Sequence, residues 1–216
     1  MTVLPDEPVS AREFVEDIVP AVFAGAELSE HERGVDLKVG VCLRGEGGGV
    51  WTLHFVEGEL GISEGRDDDC ALTLIQNVDD WRAALWEDRP GLVADLVHRV
   101  VEEGPGAFSP PGLDLAPRNP AALEELRELD GLIEGVVASS DAPDWRVAVR
   151  IGAGPIPDRP DATIRIGAEE AEAIRRGELH PIEALITGRL RLDGDLGLIL
   201  RLQAIAMAAT SAPFSR

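Results

Sequence analysis

Pro181-Ile-Glu-Ala-Leu-Ile-Thr-Gly-Arg-Leu-Arg-Leu-Asp-Gly-Asp195, with the apolar run Leu196–Met207 behind it, is the stretch from which the fold is read. Pro181 suits the first turn of a helix, where its missing N–H is not needed. Gly188 suits the end of that helix. Leu190 and Leu192 alternate with arginines, the period of a strand with one apolar side. Gly194 turns the chain, and Asp195 is placed to cap a mostly apolar helix. Short helix, strand and long helix follow one another within 30 residues, which points to an α+β protein.

Working back from there, Ala168–Arg176 reads as a helix with Ala171 and Ile174 inward. Its acids Glu169 and Glu170 fall in the first turn, where they favour the helix dipole. Ala162, Ile164 and Ile166 alternate as a strand, and so do Trp145, Val147, Val149 and Ile151. The spacing of Leu123, Leu126, Leu129, Ile133 and Val136 predicts one helix across all five. Residues 105–120 hold Pro105, Gly106, Pro110, Pro111, Gly112, Pro117 and Pro120, the clearest linker in the chain.

The first half runs similarly. Ser10, with Glu13 three residues on, predicts a helix start, and Pro20 should kink or end that helix. Val35, Leu37, Val39 and Val41 alternate, as do Trp51, Leu53 and Phe55 after the glycine-rich turn Gly45–Gly49. Leu60–Ile62 and Ala71–Ile75 complete four strands, read as an antiparallel meander. Asn77, with Asp80 three residues on, is placed to cap a helix that buries Trp81, Ala84 and Leu85. From Pro90, the residues Leu92, Val93, Leu96, Val97, Val100 and Val101 mark another amphipathic helix.

The two halves echo one another. Trp51 leads through turns to Cys70-Ala-Leu-Thr-Leu and a helix, and Trp145 leads to Asp161-Ala-Thr-Ile-Arg-Ile and a helix. Asp161–Ile166, Ala168-Glu-Glu-Ala-Glu-Ala-Ile-Arg-Arg-Gly177 and the G-x-L-x-L-x-G-D pattern of Gly188–Asp195 together resemble the ending of the sterol-carrier-protein-2 (SCP2) family. Val50-Trp-Thr-Leu-His-Phe-Val-Glu-Gly-Glu-Leu60 and the Ala71–Leu74 strand resemble its opening. The resemblance spans residues 10–103 and 120–209. It implies an antiparallel-rich twisted sheet covered by helices, with an internal duplication: residues 1–104 and 121–216 as two SCP2-like halves joined by 105–120. The first half lacks a last strand after its helix, and the second has too few strands. Two shortened copies completing each other would explain this, and so would one enlarged domain with residues 90–140 inserted.

The resemblance also implies an apolar tunnel holding a fatty acyl chain, sterol or similar lipid, without catalysis. Its lining would come from Leu185, Ile186, Leu190, Leu192, Leu198, Ile199, Leu202, Ile205 and Met207. The alternative is an interaction or assembly module with a filled core, which would be a homo-oligomer or take a protein partner at strand edges left open.

Composition narrows the remaining classes. Forty acidic against 20 basic residues give a net charge of −20, which opposes nucleic acid and anionic surfaces. Lys38 is the one lysine, a coding bias expected of a high-GC bacterial genome. No run reaches the roughly 20 apolar residues of a membrane span, and Met1–Glu7 has no leader pattern, so a cytoplasmic protein is expected. Cys42 and Cys70 read as buried thiols, and scattered His31, His54, His98 and His180 give no metal pattern. Asp67-Asp-Asp69 lacks the ligand spacing of a calcium loop. Gly45–Gly49 lacks the following GK[ST] of a phosphate loop. No serine sits in a G-x-S-x-G context. No cofactor is expected.

Overall fold

The computed structural model describes residues 5–25, 28, 30–91, 93–95 and 120–210; side chains at 31, 32, 120–123 and 206–210 lie outside it. Among the described residues eight strands form one sheet: β1 Leu37–Arg44, β2 Gly49–Val56, β3 Glu59–Glu64, β4 Leu72–Asn77, β5 Gly131–Ala138, β6 Trp145–Ile151, β7 Ala162–Gly167 and β8 Leu190–Gly194. Their order is β3-β2-β1-β4-β6-β5-β7-β8. The helices are α1 Ala11–Glu13, a π-helical turn Phe14–Ile18, α2 Val19–Ala24, α3 Glu30–Arg33, α4 Val78–Trp86, α5 Pro120–Arg127, α6 Ala168–Arg175, α7 Pro181–Ile186 and α8 Leu196–Thr210. This is the expected α+β architecture.

One topology occurs twice. A hairpin (β1–β2, β5–β6) is followed by a strand that returns parallel to the hairpin's first strand (β4 on β1, β7 on β5) and leads into a helix (α4, α6). The halves join where β4 pairs antiparallel with β6, from Leu72↔Ile151 to Ile75↔Ala148. Among the described residues the first half has no strand of its own on the far side of β4, and β6 occupies that edge. The second half has no counterpart of β3 beyond β6, and β4 occupies that edge. The echo is offset in detail. Trp51 faces Val41 and Trp145 faces Val137, whose counterpart by register is Leu43, so the two tryptophans sit two residues apart on one side.

The register sorts side chains onto two sides of the sheet. Val39, Val41, Leu43, Trp51, Leu53, Phe55, Ile133, Val149, Ile151, Ala162 and Ile164 share the helix side and pack in its core clusters. In the first half that core includes Ala11, Val15, Val78, Trp81 and Leu85 from the helices. Phe14, Trp81 and Trp86 meet edge to face, with ring centroids 5.3–6.2 Å apart. The opposite side carries Lys38, Thr52, His54, Thr73, Glu134, Arg146, Arg150 and Arg165, where two crossovers run.

Three sequence expectations need correction. β4 does not extend the meander; it crosses β2 and β1 to pair in parallel with β1. Three strand spacings are about 14 Å, within reach of residues 65–71. Buried Thr52 latches this crossover: its Oγ1 donates to Gly65 O (2.9 Å) and accepts from Asp67 N (2.9 Å). The helix expected through Val136 ends at Arg127, and Ile133 and Val136 lie in β5. Gly131 and Gly135 weaken a helix there, and a central strand buried on both sides reads as a continuous apolar run that also matches helical spacing. Pro20 sits in the first turn of α2, just after the first part of the helix gives way to a π turn closed by Val19 N–H to Phe14 O. Asn77 stands at the N-cap of α4, but its side chain makes no capping bond. Ser10 caps as expected, its Oγ accepting from Glu13 N at 3.1 Å. The linker up to 119, and the helix from Pro90 beyond residue 95, lie outside the described residues.

Candidate functional site

The apolar residues singled out in the C-terminal half fall into three groups. Leu198 (1% exposed) and Ile205 are buried, packed with Leu129, Ile133, Ile151 and Ala162. Asp195 caps α8 as expected, its Oδ1 accepting from Leu198 N at 3.0 Å. Leu198 enters so deeply because Gly131 lies beneath it; a Cβ on Gly131 would stand 2.4 Å from Leu198 Cδ2. Ile199 and Leu202 are half-buried against the same cluster. Leu190 and Leu192 are half-buried on β8, on the helix side with Ile164 and Ile166. Leu185 and Ile186 are exposed, Ile186 at 79%. The side chain of Met207 lies outside the described residues.

Sequence reasoning passed over Ile182, Leu196 and Leu200, which are also exposed. All five exposed large apolar side chains among the described residues lie between 182 and 200, on α7 and α8. Their signal was present: Ile182 and Ile186 are i, i+4 on a helix too short to bury both sides, and Leu196-Gly-Leu-Ile-Leu200 is apolar around the helix. The apolar surface of this half is therefore incompletely covered, unlike the first half's aromatic core.

Three concavities among the described residues lie elsewhere. One of about 190 Å³ lies between the 88–91 turn, Val137, Trp145 and Ala171. One of about 500 Å³ is bordered by Lys38, His54, Asp69 and Arg127. One of about 960 Å³ holds Arg44, Arg82, Arg89 and Arg146 beside Glu46, Asp79, Asp80 and Asp144. None of the three is lined by the residues singled out from sequence.

The charged groups around them are mostly structural. Lys38 Nζ bridges Asp67 (2.8 Å) and Asp69 (3.0 Å), which raises its own pKa and holds Asp69 below the usual carboxylate range. Asp67-Asp-Asp69 thus anchors the first crossover. Asp144 is held low by Arg165 and Arg146, and Glu172 by Arg175. Burial raises Asp80 and the Cys70 thiol. Arg150, 5% exposed, holds the second crossover, donating to the carbonyls of Gly131, Ile151, Ala153 and Pro155 and pairing with Asp130 at 2.5 Å. Among the described residues no three His, Cys, Asp or Glu side chains converge as metal ligands would. No helix among them is long and apolar enough to cross a membrane.

Residues 113–207 match the SCP-2 sterol transfer family. Mouse stomatin-like protein 1 is 23% identical over 133 residues, 53% of this chain; the match spans 33% of that relative. The crystal structure of sterol carrier protein 2 like 2 from Aedes aegypti is 20% identical, with 53% of this chain and 95% of that one covered and a TM-score of 0.32. A solution structure of the palmitated form of the Aedes aegypti protein is 18% identical, covering 53% and 90%, with a TM-score of 0.33.

Proposed function

We propose, for a chain whose residues 113–207 match the SCP-2 sterol transfer family, that this protein is a non-catalytic binder of an apolar ligand of the fatty acyl class. The ligand would lie on the helix side of β7 and β8, beneath α7 and α8. One observation carries the reading: this part of the apolar layer is unfinished. Ile164, Ile166, Leu190 and Leu192 are only half-buried, and the helices beside them leave Ile182, Leu185, Ile186, Leu196 and Leu200 exposed.

The first half supplies the contrast. Residues 1–104 hold six aromatic residues (Phe14, Phe23, Trp51, Phe55, Trp81, Trp86), and 121–216 hold two, Trp145 and Phe214. Bulky rings fill the first layer, and slimmer aliphatic chains line the second. A solved relative of the same family is described as palmitated, which supports an acyl chain as the class to test. A dozen methylenes at about 0.8 kcal/mol each are worth roughly 10 kcal/mol of gross burial, from which the costs of association are subtracted. In this reading residues 1–104 and 121–216 are two SCP2-like halves, and only the second keeps a ligand.

Native mass spectrometry of the purified chain, with organic extraction, tests the proposal. The expected result is one fatty acyl ligand per chain, or stoichiometric uptake of a fluorescent fatty acid, abolished by Leu192→Trp or Leu202→Trp with the fold intact by circular dichroism. A folded protein that carries nothing and takes up no fatty acid overturns it.

A further inference from the structure

The sheet ends on one side at β8, which pairs with β7 and, among the described residues, with no other strand. An unpaired strand edge invites another strand. The residues on this one spell a charge pattern that reads oppositely in its two directions: Arg189, Leu190, Arg191, Leu192, Asp193, Gly194, Asp195. Set antiparallel against itself about Leu192, it brings Arg191 opposite Asp193 and Arg189 opposite Asp195, each twice by symmetry.

The backbone favours the same register. Asp195 donates its N–H to Asp161 O at 2.8 Å, continuing the β7–β8 ladder. Hydrogen-bonded positions alternate along an antiparallel pair. Asp193 and Arg191 therefore turn their backbone groups inward to β7, and Leu192 turns its N–H and C=O outward. Two copies meeting at Leu192 exchange both of these bonds. Arg191 and Asp193 then fall at the closer, non-hydrogen-bonded positions, where cross-strand side chains interact most strongly.

Within one chain these charges are poorly served. Arg189, Arg191 and Asp193 are all exposed. Arg191 lies directly across from Arg165, a like-charge neighbour. The opposite edge of the sheet differs. On β3 the comparable register, about Ile62, sets Leu60 against Glu64 and Gly61 against Ser63, a match with no opposite-charge pair. The exposed large apolar side chains among the described residues lie on α7 and α8, the helices that flank β8 in sequence. Complementary charge, a free edge and apolar flanks thus coincide at one end of the sheet.

We infer that β8 is a homodimer interface, in which two chains pair antiparallel about Leu192 across a two-fold axis and extend the sheet through both copies. The interface is isologous, as two-fold contacts are. It stands apart from the lipid-binding reading and survives the failure of that reading.

Sedimentation velocity from roughly 1 to 200 µM, at about 0.15 M salt to screen the repulsion between two chains of net charge −20, tests it. The expected result is a species of twice the 23.1 kDa chain mass. Arg191→Asp alone and Asp193→Arg alone each place like charges in register and weaken dimerisation roughly 10- to 100-fold. Mixed together, these two variants regain a dimer, a heterodimer seen by native mass spectrometry, because every pair is then opposite in sign. Circular dichroism verifies that both variants fold. A wild-type chain that stays monomeric throughout the range overturns the inference. So do variants that dimerise like wild type, or a mixture that forms no heterodimer.

Discussion

Leu198→Ala should separate the seating of α8 from the rest of the core. Leu198 is 1% exposed, and its Cδ2 occupies the place where a Cβ on Gly131 would stand. Truncation removes buried methyl groups and leaves a cavity over a backbone that has no side chain to fill it, so about 3–5 kcal/mol should be lost. For a chain of this length that is roughly 6–20 °C in Tm. Gly131→Ala alone drives a methyl to 2.4 Å from Leu198 Cδ2 and should cost about 1–3 kcal/mol by overpacking. In the double variant the new methyl enters the space that Leu198 vacated, and its cost should fall by about 1–2 kcal/mol. Urea unfolding of the four proteins, read as midpoint and slope, measures the coupling. Additivity within about 0.5 kcal/mol would refute the claim that Leu198 packs directly onto Gly131 and, with it, this placement of α8 on the sheet.

Two further outcomes follow from the crossovers. Arg150→Met should destabilise by about 3 kcal/mol, because the carbonyls of Gly131, Ala153 and Pro155 lose a buried donor; hydrogen exchange should speed up at residues 152–161, and unchanged exchange there would contradict the role given to Arg150. Lys38→Met should remove a pH-dependent contribution. Asp69 is held below its ordinary pKa by Lys38, so its share of stability is present above the unfolded value near 3.9 and disappears as pH falls through the lower folded value. Wild type and variant should therefore differ in urea midpoint at pH 7 and converge in acid; a difference that persists in acid would assign the effect to packing.

The legible parts of the fold were those where one local rule decided. Pro181, Gly188 and Asp195 mark element ends by backbone chemistry alone, and the structure places α7, β8 and α8 between those marks. Period 2 in Leu37–Val41 and Trp51–Phe55 survived because one side of those strands is polar. β5 was read as helix because it is buried on both sides. Its apolar positions then carry no period-2 signal, and Leu126, Leu129, Ile133 and Val136 match helical spacing by coincidence. The parallel return of β4 was illegible for another reason. A seven-residue connection can serve a hairpin or a crossover, and what selects the crossover is the latch of Thr52 on Gly65 and Asp67, between residues 13 and 15 positions apart. Arg150 was missed likewise, since four of its acceptors are backbone carbonyls, which no side-chain pattern announces.

The candidate site divides along the same line. That Leu198 and Ile205 are apolar was visible; that they fill a core while Leu185 and Ile186 face outward depends on how α7 and α8 sit on the sheet. Apolar lining reads identically whether it faces a side chain or a ligand. What the sequence does carry is the unequal distribution of aromatic bulk. Six rings stand before residue 104 against two after 121, and the proposed acyl site rests on that difference. If the second layer merely packed more tightly on smaller residues, Leu190 and Leu192 would be sealed by α7 and α8. They are half-buried instead, and Leu192→Trp discriminates directly: in an unfinished layer the ring enters and raises Tm while it blocks fatty acid uptake, and in a finished layer it has nowhere to go and lowers Tm.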